Sequence, residues 1–201
     1  MHPLAGVCWA ALALLVVAGA PKVLDPLDTA RALRLAGLRI PLVVVRIFGG
    51  VEAGLGVVAL VTGNRALLAV AALSYLGFAV FIAHALRSGT PVASCGCFAK
   101  ADTPPTRTHL VIDLLFALAL GAAAVTGGTG LLDSWNSAGA GVTVLTVGFA
   151  AMAAWFAYLA MAVLPTSLAR PVTPESVRRT PASPGQSRAT TQIPLSGRTS
   201  A

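Results

Sequence analysis

Charge is what this sequence has least of. Asp and Glu number 7 and Lys and Arg 14 among 201 residues, so that only 10% are charged, against about 25% in ordinary soluble domains. A soluble fold of this length could not cover its surface with so few, which excludes a water-soluble enzyme. Cysteine is scarce too: three residues make no disulfide scaffold, although two of them, Cys95 and Cys97, stand one residue apart. There is no phosphate-binding Gly loop, no hydrolase triad and no haem-attachment motif. Gly127-Gly128-Thr129-Gly130 reads as a flexible connection, not a nucleotide site. What the chain does have is apolar residues, 56% of the total, with 20 Gly besides, and a mean hydropathy of +0.82. The formal net charge of +7 fits membrane topology better than nucleic-acid binding.

A membrane-crossing helix needs about 20 mostly apolar residues. Five stretches qualify: 4–20, 43–62, 66–86, 110–126 and 142–164. The first precedes every charged residue and reads as an uncleaved helix. It lacks a basic region before it, and Pro21 would directly follow a cut after Ala20. Between the first two spans, Asp25 and Asp28 can cap a short helix in which Arg31, Arg34 and Arg39 alternate with Leu27, Leu33, Leu35 and Leu38. This predicts a basic amphipathic helix lying in the membrane interface. Residues 165–201 carry six Pro, five Arg and a single Glu. Such a tail cannot bury enough apolar surface to offset ordering entropy and is expected to be disordered, its Arg residues against anionic headgroups.

Basic loop residues favour the cytoplasm. Thirteen of the fourteen fall in segments 21–46 and 87–108 and in the tail; Arg65 stands alone on the other side. Charge therefore predicts an outer N-terminus, a cytoplasmic tail and a cytoplasmic Cys pair, in a multi-pass protein of the bacterial inner or plasma membrane.

The candidate chemistry begins at Ser94-Cys95-Gly96-Cys97-Phe98. With Gly between them, two Cys can bend into disulfide range, giving a small strained ring that exchanges readily. Two alternatives stand beside this redox pair: zinc or copper bound by Cys95, Cys97 and His109, or two reduced loop cysteines. His109 and Asp113, four apart, share one helix face, where the acid could orient the imidazole and the imidazole tune a thiolate. Both also fit as ordinary polar groups at a helix end. His84 joins them as a candidate on geometry alone. Glu52 lies inside the second span, where an ionisable group costs about 2.5–3.5 kcal/mol and faces the bundle interior. Gly50 and Gly54 form a Gly-x-x-x-Gly pattern beside it, flanked by Gly49 and Gly56, so Glu52 lies on or next to a packing seam. Lys22 is its expected partner, either as a packing ion pair or as part of a working site. Cys8 reads as a small buried hydrophobe, and Trp9 and Trp155 as packing or interface anchors.

The order of these pieces resembles a known family. Gly19-Ala20-Pro21-Lys22 leads to Asp25-Pro26; Gly50-Val51-Glu52 is followed by Gly63-Asn64-Arg65, then by Cys95-Gly96-Cys97-Phe98. This is similar to the methylamine utilisation protein MauE, in the wider DoxX-like group, over about residues 5 to 125. It departs at Ala99, where family members often have Gly, and in the fifth span and tail. The resemblance implies an all-α membrane protein: a DoxX-like four-helix transmembrane bundle (1–126), here with a connection and fifth transmembrane helix (127–164) and the basic tail (165–201). It implies that Cys95 and Cys97 form a redox pair in the maturation of a disulfide-rich partner, the methylamine dehydrogenase small subunit, alongside a thioredoxin-like protein. His109 and Asp113 would then tune the thiolate while Lys22 and Glu52 organise the bundle. Such disulfide chemistry belongs outside the cytoplasm, against the charge count. Two rival roles are a scaffold or assembly subunit of a DoxX-like quinone-linked complex and a metal-handling protein. No cofactor is called for; the partners expected are a client protein and lipid, and the Gly-rich faces leave room for self-association.

Overall fold

The computed structural model describes residues 3–35, 37–88, 106–127 and 130–163. They form helices α1 (Ala5–Leu24), α2 (Leu27–Leu35), α3 (Leu42–Thr62), α4 (Arg65–Ser88), α5 (Arg107–Thr126), α6 (Leu131–Ala138) and α7 (Ala140–Tyr158), the last continued by a π-turn, Leu159–Val163. Five helices are long and apolar enough to cross a membrane: α1, α3, α4, α5, and α7 with its extension. The fold class is that of an all-α membrane protein. Residues 165–201, expected to be disordered, and Cys95, Cys97 and Ala99 lie outside the described residues.

α1 is the hub. More than half of its apolar stretch is buried, against about a quarter for α3, α4 and α5 and less for α7. Large apolar side chains such as Leu145, Met152 and Phe156 instead point outward from α7, as lipid-facing positions should. Between apolar helices in lipid there is no hydrophobic drive to associate, so close van der Waals packing and polar contacts decide which helices touch. α3 buries Val45, Gly49, Glu52, Gly56 and Ala59; α5 buries His109, Asp113, Phe116, Leu120 and Ala123. Both sets are spaced alternately by four and three, the seam of a left-handed helix pair. Polar side chains occupy seam positions in each.

Contacts fix the direction of every pass. Gly19 meets Gly49 and Leu12 meets Gly56, so α1 and α3 are antiparallel. The Arg65 guanidinium donates to the Thr126 carbonyl (3.1 Å) and Tyr75 packs edge-on against Phe116, so α4 and α5 are antiparallel too. Tyr75 donates its hydroxyl to the Ala11 carbonyl (2.6 Å), while Gly6 meets Thr146 and Phe149 of α7. The turns have local causes. Gly63, at φ +61°, ends α3 in the left-handed conformation that glycine adopts without strain, and the Asn64 side chain accepts from the Ala66 and Leu67 amides to start α4.

Two expectations need correction. α1 does not stop at Ala20. Pro21 cannot supply an N–H to the turn before it, but its fixed φ is helical, and the helix runs on through Lys22 to Leu24. The connection before the fifth span also carries α6, a two-turn helix of polar composition. The Gly50/Gly54 pair is not the packing seam. A Cβ on Gly54 would meet nothing within 4 Å, and one on Gly50 only a Val23 methyl at 3.9 Å, whereas on Gly49 it would lie 2.7 Å from the Gly19 carbonyl oxygen. Gly49 and Gly56 are the contact glycines. The basic stretch after α1 is helical as α2, with the Asp25 side chain accepting from the Leu27 amide (3.3 Å).

Candidate functional site

Two buried polar groups sit in one half of the bundle. The first is Lys22–Glu52. Gly19 and Lys22 are three apart on α1, and Gly49 and Glu52 three apart on α3, so each glycine shares a face with its charged neighbour. Backbone contact at Gly19/Gly49 draws the helices together, and the Lys22 ammonium reaches Glu52 Oε2 at 2.5 Å with both side chains almost wholly buried. The ammonium also lies 5.5 Å from the centroid of the Phe48 ring and 5.3 Å from that of Phe78, within cation–π range. Glu52 Oε1 has no hydrogen-bond partner among the described residues.

The second group opens α5. Thr106 is its N-cap, and the hydroxyl and backbone amide of Thr106 face His109 Nδ1 at 2.8 and 3.3 Å. The Thr106 hydroxyl in turn lies 3.5 Å from the His109 amide. This is a reciprocal capping box with histidine in the place that Glu or Gln usually takes. A backbone N–H can only donate, so Nδ1 is an acceptor and the neutral ring carries its proton on Nε2. His109 is 1% exposed, and its Nε2 has no hydrogen-bond partner among the described residues. One turn on, Asp113 is 5% exposed. Both border a small cavity of about 20 Å³, walled by Leu14, Leu15 and Ala18 of α1, Tyr75 and Phe78 of α4, and Met161 of the π-turn.

Phe78 links the two groups, with Lys22 over its ring and the cavity beside it. The directions of the helices place Lys22, Asp113, His109 and Met161 toward the end where α4 finishes and α5 begins. Residues 89–105, with Cys95 and Cys97, connect those two helices. The chain thus has carboxyl, ammonium and imidazole groups in protein-enclosed surroundings: a set that can hold and pass protons.

The structure therefore brings Lys22 together with Glu52, and His109 together with Asp113. His84, exposed on α4, does not line the cavity. Cys8 is fully buried, its thiol directed at the Ala119 carbonyl (3.6 Å); Trp9 is in the core, and Trp155 stacks on Tyr158 at the surface. Among the described residues no three His, Cys, Asp or Glu converge on a metal position; two members of the metal alternative, Cys95 and Cys97, lie outside them. Sequence reading missed Thr106, Tyr75, Phe78 and Met161. Thr106 carried a signal, a cap-forming residue just before an apolar run; Met161 carried none, since only the tertiary fold brings it to His109.

Comparison with known proteins gives one family. No curated protein and no solved structure matches the chain. The family profile of methylamine utilisation protein MauE matches residues 2–127, which takes in α1 to α5, both buried polar groups and the Cys pair, and leaves α6 and α7 outside. With well over half its length matched and its described residues forming a bundle of membrane-crossing helices, this chain belongs to the MauE family.

Proposed function

We propose that the protein supports thiol–disulfide exchange with a partner, Cys95 and Cys97 forming the exchanging pair, in the maturation of a disulfide-containing client such as the methylamine dehydrogenase small subunit. One observation carries the reading: the buried ionisable residues gather in the half of the bundle that anchors both ends of the Cys-bearing segment. The exchange balances without a cofactor. A Cys95–Cys97 disulfide takes two electrons and two protons from a client dithiol, and the client leaves with the disulfide. The disulfide of an oxidised thioredoxin-like protein then takes two electrons and two protons from the Cys95/Cys97 dithiol and leaves as a dithiol. In this scheme His109 and Asp113 tune the thiolate, and Lys22 with Glu52 holds α1 against α3.

Replacing both residues in Cys95→Ser/Cys97→Ser tests it. The expected result is a fully inserted protein with the client left reduced; a client oxidised as usual would refute the redox pair and favour a scaffold role. Labelling with a membrane-impermeant maleimide in a Cys8→Ser background fixes the side. Reaction in intact cells only after reduction places a disulfide outside, where an exported client needs it. Reaction only after permeabilisation places the pair in the cytoplasm with the basic tail, as the thirteen-to-one distribution of basic residues predicts, and overturns maturation of an exported client.

A further inference from the structure

The His109 cavity has a size and a lining that together specify its occupant. A cavity needs about 10–15 Å³ of probe-occupied volume and two to four polar partners to hold a water molecule. This one offers about 20 Å³, enough for one water and far too little for a quinone ring or a substrate side chain. Purely apolar cavities stay dry, but two ionisable side chains border this one, each at least nine-tenths buried. The capping box turns His109 Nδ1 toward Thr106 and leaves the Nε2 proton as the ring's only free donor, without a hydrogen-bond acceptor among the described residues. The Asp113 carboxyl, on the same face and the same cavity wall, supplies acceptor oxygens. Met161 of the π-turn completes the cavity wall.

We infer that the cavity between α1, α4, α5 and the π-turn is a binding site for a single water molecule, which accepts from His109 Nε2–H and donates to the Asp113 carboxyl. The water completes a chain of exchangeable protons from Asp113 through His109 to Thr106, the residue that adjoins the Cys-bearing segment. Met161, beyond the family-matched part of the chain, lines the site, so the π-turn after α7 adds a wall to a cavity built by the family core. The inference rests on geometry alone and does not depend on thiol chemistry.

The test is nitrogen-15 histidine NMR of the full chain in lipid nanodiscs, with His109 assigned by the signal lost in His109→Gln. The expected result is a proton on Nε2 and none on Nδ1, with a cross-peak from that proton to water. In Ala18→Leu, whose longer side chain fills the cavity, the cross-peak disappears while the Nε2 proton remains; Ala18→Val serves if the larger variant does not insert. A proton on Nδ1, an Nε2 proton with no water contact in the unsubstituted protein, or a water contact undiminished in the filled variant would each overturn the site.

Discussion

At the scale of the residue, the Lys22–Glu52 pair invites the sharpest expectation. Removing one partner of a buried ion pair strands the other and costs about 3–5 kcal/mol, whereas replacing both by apolar residues of similar volume is often neutral. Lys22→Met and Glu52→Leu should each lower stability by that order in SDS-titrated micelles, and the double variant should recover most of the loss. A double variant as unstable as the singles would mean that the pair's partners lie elsewhere. If the double variant folds but no longer supports client oxidation, the pair does more than hold helices together. Lys22 and Glu52 were legible because ionisable groups stand out in apolar sequence, and charge finds its opposite. His109 and Asp113 were legible as a helix face. The capping role of His109 was not, because histidine is an unusual residue for that position and gives no advance sign of it.

At the scale of the element, two glycine substitutions on one helix should part company. A Cβ at Gly49 would lie 2.6 Å from Lys22 Cβ and 2.7 Å from the Gly19 carbonyl oxygen, both on α1. Gly49→Ala must therefore push α1 from α3 and stretch the ion pair, at an overpacking cost of about 1–3 kcal/mol. Gly54→Ala meets open space and should gain about 0.5–1 kcal/mol from the helix preference of alanine. Equal effects in the same unfolding assay would refute this account of the seam. The Gly-x-x-x-Gly pattern pointed to Gly50 and Gly54 because it considers spacing alone. The four-three spacing of Val45, Gly49, Glu52, Gly56 and Ala59, anchored on the one residue that had to face inward, selects the right face. Spans themselves were readable from length and hydropathy. α6 was not: its Asp, Ser, Asn and flanking glycines look like a loop, and its packing against α3 and α7 is not encoded locally.

At the scale of the whole molecule, the alternation of passes ties three segments to a common side. α2, the Cys-bearing segment and the residues after Val163 follow from the same end of the bundle; α6 follows from the other. In a background without the native cysteines, an impermeant maleimide that reaches a cysteine introduced at Ala99 should also reach one at Ser167 and spare one at Ser137, whichever way the protein faces. Labelling of Ser137→Cys together with Ala99→Cys from one side would mean a different number of crossings. The sequence alone could count spans and sum charges, but the sharing of a half by Glu52, His109 and Met161 depends on packing that no local pattern encodes.

The hub position of α1 also bears on biogenesis. Lys22 and Glu52 are 30 residues apart in the chain, and ribosomes add about 5–20 residues per second. For roughly 2–6 s of synthesis the ammonium is without the Glu52 carboxylate that it meets in the bundle. The first buried ion pair of the bundle to become available is then Lys22 with Glu52, and it becomes available before α4, α5 and α7 are made.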